Sequence, residues 1–225
     1  MSKASRDAIL RKLRVGASRE GDEALARKTI EARLKGHPRG TVPARGKLNE
    51  KKLLDLFVAQ AEAVDATVAR VAAPGDVPAA VADYLRGENL PPALRMAPDP
   101  KLDACAWDTA PMLDISYGKA RAEEQVSVTG AFAGIAETGT LMLASGPESP
   151  TTLNFLPDTH IVVLRADEMV GAYEDAWDRL RATGGMPRAV NFVSGPSRSG
   201  DIEQTLHLGA HGPRRLHVIL VEGNG

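Results

Sequence analysis

Apolar positions along this chain follow a helical period in the first third and an extended period after about residue 110. Residues 3–14 and 20–35 are rich in Ala, Leu, Arg, Lys and Glu, which favours two helices, broken at GASREGD and stopped at GHPRG. HPRGTVPARG then reads as a linker. From Leu48 to Ala72 the positions Leu53, Phe57, Val64, Val68 and Val71 keep helical spacing, which predicts one long helix with a single apolar face, ended by APGD. VPAAVADYLRG predicts a short helix closing at Gly87, and LPPALRMAP an extended segment.

Beyond residue 110, VSVTGAFAGIAETGTLMLAS carries two β-type runs around Glu137 and Thr138, with small residues where backbone must bend or pass closely. HIVVLRA is nearly continuous in apolar residues, the pattern of a strand buried on both faces of a parallel sheet. ADEMVGAYEDAWDRLRATGG reads as an amphipathic helix with Asp167 as N-cap and Gly184 as its stop, and Val170, Tyr173, Trp177 and Leu180 on one stripe. AVNFVS follows as a strand. Strand, helix and strand together predict a right-handed βαβ unit with parallel strands. RRLHVILVEG supplies a last apolar strand, and no internal repeat or low-complexity segment occurs.

Composition adds bounds to this picture. At 225 residues, 43% hydrophobic and 25% charged, the chain fits one globular domain with an appendage. No apolar run approaches the roughly 18 residues that cross a bilayer, and MSKASRDAILRKLR lacks the apolar centre of a signal peptide. The expectation is a cytoplasmic protein without membrane insertion. Residues 1–50 hold 13 Lys and Arg against 6 Asp and Glu, a balance of +7, so the net charge of −1 leaves −8 for the remainder. A basic helical arm, residues 1–46, is therefore expected on an acidic α/β body, residues 47–223. Aromatic residues make up only 4% and no recognition motif accompanies the charge, so the arm suits an acidic protein surface and not nucleic acid.

Candidate chemistry concentrates in two stretches. VNFVSGPSRSGDIEQTLHLG leaves an apolar strand through a loop rich in Gly, Ser, Pro and Arg. Gly195, Ser197, Arg198 and Ser199 there suit a small anion, if backbone N–H groups at the start of a following helix converge on it and Asp201 caps that helix. An ordinary strand-to-helix turn is the alternative. Asp201 and Glu203 would point apart on a helix and make no acid/base pair. GIAETGTLML places Glu137 among Thr138, Gly139 and Thr140, either as a nucleophile or base with burial adjusting its chemistry, or as a carboxylate bonding backbone N–H groups at a turn.

His207 and His211 have the spacing of a helical metal pair, but Gly209 and Gly212 interrupt it, so no metal is expected. His211 is assigned to a turn and His217 to a strand. Cys105 is the single cysteine, which excludes an internal disulfide and a cluster or zinc site built on cysteines of this chain alone. LDACAWD carries no nucleophile signature, so Cys105 is read as buried and structural. Phosphate-loop, dinucleotide and serine-hydrolase signatures are absent from the sequence.

Taken as ordered strings, GIAETGTLMLASGPESPTTLNFLPDTHIVVL and VNFVSGPSRSGDIEQTLHLGAHGPRRLHVILVEG resemble the lactate utilization protein C family of LUD-domain proteins, over about residues 110–223. The resemblance implies a three-layer α/β/α sandwich similar to the NagB, ribose-5-phosphate isomerase and CoA-transferase group, with an N-terminal helical elaboration. It also implies a subunit of a system that oxidises L-lactate to pyruvate, with iron–sulfur clusters in the partner proteins and no cofactor in this chain. The motif residues carried over are Glu137, Thr138, Gly139, Gly195, Pro196, Ser197, Arg198, Asp201, Glu203, His211 and Gly212. Gly200 stands where the family pattern leads one to expect alanine, and adds backbone freedom to the loop. The rival reading is an independent transferase- or isomerase-like enzyme for a small anionic or phosphorylated substrate, with Glu137 as nucleophile or base. Another is a regulatory interaction module without a ligand.

Overall fold

In chain order the computed structural model contains α1 (Lys3–Ala17), α2 (Glu23–Gly36), α3 (Glu50–Ala63), β1 (Thr67–Val71), α4 (Val77–Gly87), β2 (Ala93–Met96) and α5 (Pro100–Asp103). There follow β3 (Asp114–Tyr117), β4 (Val126–Gly130), β5 (Ala133–Ile135), β6 (Thr140–Ala144), α6 (Thr152–Phe155) and β7 (Thr159–Arg165). The chain ends with β8 (Met169–Val170), α7 (Tyr173–Ala182), β9 (Val190–Val193), β10 (Arg198–Ile202), β11 (Thr205–Leu208) and β12 (Arg215–Val221). The structure describes residues 3–17, 23–202 and 205–223, and the side chains of 3, 14–17, 23 and 199–208 lie outside that description. The chain divides into two units, Met1–Thr41 and Val42–Gly225, at a point inside the predicted linker.

The first unit holds α1 and α2. Ile9, Leu10, Leu13, Leu25, Ile30 and Leu34 are all exposed there. Helices of this length have little stability without an apolar face to bury, so their helicity depends on what they pack against.

The second unit is built on a six-stranded parallel sheet in the order β1-β12-β7-β4-β2-β3. Its centre is as apolar as the sequence pattern demands, because β7 and β12 are covered on both faces. One face carries Val128, Ile161, Val163 and Ile219 against Val81 and Leu85 of α4 and Leu102 of α5. On the other face, Val162, Leu164, Val218 and Leu220 meet Phe57 and Ala61 of α3 together with Leu141 and Leu143. Those two leucines belong to a second, four-stranded sheet, β8-β5-β6-β9. The period of two along β6 turns Met142 the opposite way, where it packs with Ile135, Ala176 and Leu180 beneath α7. Helix, sheet and helix thus form the expected three-layer α/β/α sandwich, with the small sheet inserted under α7.

Four sequence expectations are corrected. The helix predicted over 48–72 stops at Ala63, Asp65 takes a left-handed φ of 63°, and Val68 and Val71 belong to β1. The β-branched run Thr67–Val71 finds ladder partners on β12, and pairing outweighs a weak helical period. The predicted βαβ unit does not form. Met169 and Val170 pair with β5, so the chain has left the main sheet before α7 begins, and β9 lies antiparallel to β6. Asp167 is consequently not an N-cap: α7 starts at Tyr173, and the Asp175 carboxylate accepts the Ala172 N–H at 3.1 Å. Val170 likewise lies outside the helix, while Gly184 does follow its end. Finally, the residues after Gly195 do not open a helix. Arg198–Ile202 and Thr205–Leu208 pair as an antiparallel hairpin.

Candidate functional site

The two sequence stretches singled out above meet at the last turn of α3. Glu137, Thr138 and Gly139 form the turn of the β5–β6 hairpin, and Ser194, Gly195 and Pro196 leave the end of β9. Because β9 pairs with β6 in register Leu141 to Val193, the two turns emerge side by side. Both press on α3 through a glycine. At Gly139, φ is +63° and a Cβ would stand 2.3 Å from the Ala61 nitrogen; at Gly195, φ is +75° and a Cβ would stand 2.2 Å from the Val64 carbonyl oxygen. Only glycine combines that backbone conformation with that approach.

Hydroxyl groups link the turns. Thr138 Oγ1 and Thr140 Oγ1 are 2.7 Å apart, and the Tyr173 hydroxyl lies 3.2 Å from the first and 3.0 Å from the second. Thr140 also meets Ser194 Oγ at 2.6 Å. Thr140 is fully buried and Ser194 is exposed, so the chain of hydroxyls runs from the interior to the surface. Each hydroxyl can donate once and accept twice, which leaves Ser194 capacity for an external polar group.

Glu137 lies at the inner end of this cluster, 5% exposed. Its Oε1 accepts the Tyr173 N–H at 3.2 Å, and its own N–H donates to the Gly171 carbonyl at 3.1 Å. The carboxylate therefore caps the first turn of α7, where the helix dipole favours negative charge. Of the two roles the sequence left open, this placement uses Glu137 as the backbone-bonding turn residue. Replacing it with Ala leaves the Tyr173 N–H without its acceptor and is expected to cost about 1–3 kcal/mol, whereas Glu137→Gln keeps an acceptor and should cost less. Urea unfolding of the two variants checks this order.

Residues beyond Gly195 fold back on the start of β12. Ser197 N–H donates to the Pro213 carbonyl at 2.8 Å, Gly209 N–H donates to the Ser197 carbonyl at 3.1 Å, and His211 N–H donates to Ser197 Oγ at 3.3 Å. Ser197, His211 and Gly212 thus share one loop junction, with the His211 side chain exposed. This junction lies at the amino end of β12, next to Asp158 before β7: the Asp158 carbonyl accepts the Arg215 N–H at 3.1 Å. The loop thus lies near the amino ends of the parallel strands and not at their carboxyl ends. β9 belongs to the other sheet, so its loop leaves at the opposite end of the molecule's main ladder.

Arg198 forms an ion pair with Asp65, the residue of left-handed φ just after α3. A strand takes the place of the helix expected after Gly200, so no helical N–H groups converge on Arg198; the backbone of Ser199 and Asp201 lies in β10. His207 lies in β11, which also removes the helical His207–His211 spacing. Glu203 lies outside the described residues. Among those described, no group of three or more His, Cys, Asp or Glu side chains is placed to hold a metal ion. Tyr173, Ser194 and Asp65 are site residues that sequence reasoning missed; Ser194 alone had a local signal, as a polar residue closing an apolar strand before a glycine. Both partners of the Arg198–Asp65 pair are substantially exposed, so Arg198→Ala and Asp65→Ala should each change unfolding free energy by less than about 1 kcal/mol, measured in the same urea series.

Similarity to known proteins matches this architecture. The LUD domain family model matches residues 47–221. The chain belongs to the LUD domain family. It is 32% identical over 129 residues to lactate utilization protein C of a Geobacillus species, covering 55% of this chain and 52% of that protein. Lactate utilization protein C of Deinococcus radiodurans is 37% identical over 95 residues, covering 42% and 45%. An uncharacterized protein of Neisseria meningitidis serogroup B is 43% identical over 94 residues, covering 41% and 40%. The matched segments thus span about half the length of these relatives. A crystal structure of a DUF162 family protein from Deinococcus radiodurans superposes with a TM-score of 0.60 at 27% identity, covering 77% of this chain and 99% of that one.

Proposed function

We propose that this LUD protein is a non-redox component of a cytoplasmic L-lactate utilization system, acting with iron–sulfur partner proteins in the oxidation of L-lactate to pyruvate. The observation that carries the reading is the family match over residues 47–221 together with relatives named lactate utilization protein C. Chemistry supports the division of labour. Oxidising lactate to pyruvate removes two electrons and two protons, and the electrons need a carrier. Cys105, the only cysteine, is buried, and desolvation pushes its thiol up to about 11, so it stays protonated at neutral pH and is a poor cluster ligand. The clusters, on this reading, belong to the partners. On this reading the surface formed by Ser194, Ser197, Arg198 and His211, backed by Glu137, Thr138 and Thr140, is where the chain meets a small anionic ligand or a partner. Among the described residues no helix is long and apolar enough to cross a membrane.

The test is reconstitution. L-lactate oxidation by the cluster-bearing partners should require this chain, and the chain alone should oxidise nothing. Deleting residues 1–46 should leave the family-matched body folded, because that body has its own core clusters. The same deletion should weaken association with an acidic partner and flatten its salt dependence, since it removes the basic arm. Full activity without this chain, or salt-dependent binding unchanged by the deletion, would count against the proposal.

A further inference from the structure

The carboxyl ends of β1, β12 and β7 lie side by side, and a cleft of about 440 Å³ opens there. This is within the roughly 300–1,000 Å³ typical of small-molecule sites, and it occupies the edge where open parallel sheets bind their ligands. It is also separate from the turn cluster: Arg70 and Glu222 at the strand ends line the cleft, whereas Gly195 and Ser197 pack near the strand starts.

Part of the lining is apolar: Leu53 and Leu54 of α3 and Met169 of β8 border the cleft, and all three are only half-buried. An apolar ligand body would complete their burial. The polar lining is divided by what is already engaged. Glu222 pairs with Arg70 Nε, and Asp167 Oδ1 lies 3.3 Å from Arg165 Nε. Arg70 also donates through Nη1 to Asp55 at 2.7 Å, so two carboxylates fix the plane of its guanidinium. That leaves Arg70 Nη2 and the exposed Lys51 ammonium without partners among the described residues, against one uncommitted carboxylate, Glu50.

We propose that this cleft binds an organic monoanion with an apolar body, its carboxylate held by Lys51 and Arg70 and its body laid on Leu53, Leu54 and Met169. Pre-positioning by Asp55 and Glu222 removes part of the ordering cost of the Arg70 contact. Glu50, with the Asp167 and Glu222 carboxylates close by, limits the ligand's charge. A polyphosphate would bring several negative charges against them, and a single carboxylate need bring only one. The inference does not depend on the lactate reading, because it rests on the lining of the cleft alone.

Hexanoate is the simplest probe, with hexylamine, L-lactate and inorganic phosphate as comparisons. In NMR titrations of the full chain, hexanoate should shift the methyl signals of Leu53, Leu54 and Met169. L-lactate offers the same carboxylate without the apolar body and should bind more weakly. Lys51→Glu should weaken hexanoate by about tenfold or more, the worth of one charge-assisted contact, without moving the thermal midpoint, because Lys51 is exposed and unpaired. Lys51→Gln should give a smaller loss in the same direction. The proposal is overturned if hexanoate does not bind, if hexylamine binds as well as hexanoate, if the shifts map elsewhere, or if both Lys51 variants bind as the wild type does.

Discussion

Acidification should unfold this protein, with stability falling from about pH 6.5 downward. His160 is fully buried and His217 is 4% exposed, and burial pushes their pKa values down to about 3 and about 4. His160 Nε2 meets Thr129 Oγ1 at 2.8 Å; His217 Nδ1 meets Thr67 Oγ1 at 2.7 Å, and its ring stacks on Tyr84 at 3.9 Å. The second nitrogen of each ring has no partner among the described residues, so nothing there stabilises an added proton. The sign follows from the folded values lying below the unfolded one. Above pH 6.5 both states hold neutral imidazoles and the contribution to stability is complete. As pH falls below 6.5 the unfolded chain takes up protons that the folded chain refuses, and stability is lost until the folded values near 4 and 3 are reached. Each site then approaches a loss of about 1.4 kcal/mol per pH unit, so two sites together lose on the order of 4 kcal/mol between pH 6.5 and 4.5, a large part of the whole stability of many domains. Urea unfolding at pH 7.5, 6.0 and 4.5 measures it. A flat profile over that range would contradict the buried placement of both rings, and His217→Phe should remove about half the slope.

Gly139→Ala should be among the most damaging single substitutions in the body. The alanine must adopt a φ of +63°, at a cost of about 1–2 kcal/mol, and its Cβ would lie 2.3 to 2.7 Å from three backbone atoms of Gln60 and Ala61. Backbone within a helix cannot swing aside as a side chain can, so overpacking adds about 1–3 kcal/mol. A total of about 2–5 kcal/mol corresponds to a fall of roughly 10 °C in Tm for a chain of this size. Gly184→Ala is the control. Gly184 has a φ of +77° with nothing within 4 Å of its Cβ position, so it carries the backbone strain without the collision. If Gly139→Ala costs no more than Gly184→Ala, the contact between the β5–β6 turn and α3 is looser than described. If it costs more, the added loss measures how firmly the two motif turns are fastened to that helix.

Strong local signals determined much of this protein in advance. The apolar runs of β7 and β12, the small-residue turn between β5 and β6, and the stripe of Tyr173, Trp177 and Leu180 on α7 follow from side-chain period alone, because alternation and helical spacing fix which atoms can be buried together. The solitary cysteine and the basic first 50 residues are likewise matters of composition. The ordered strings around Glu137 and Gly195 carried the family. What sequence did not determine was partner choice among strands. Val68 and Val71 fit a helix as well as a strand until β12 offers them a ladder, and β9 looks like a parallel partner for β7 until β6 claims it. Only the tertiary structure decided that Glu137 caps α7, that Arg198 pairs with Asp65 and that Thr140, Tyr173 and Ser194 share hydrogen bonds. Those contacts join residues far apart in sequence, and no local period encodes them: they exist because the second sheet brings two turns to the end of one helix.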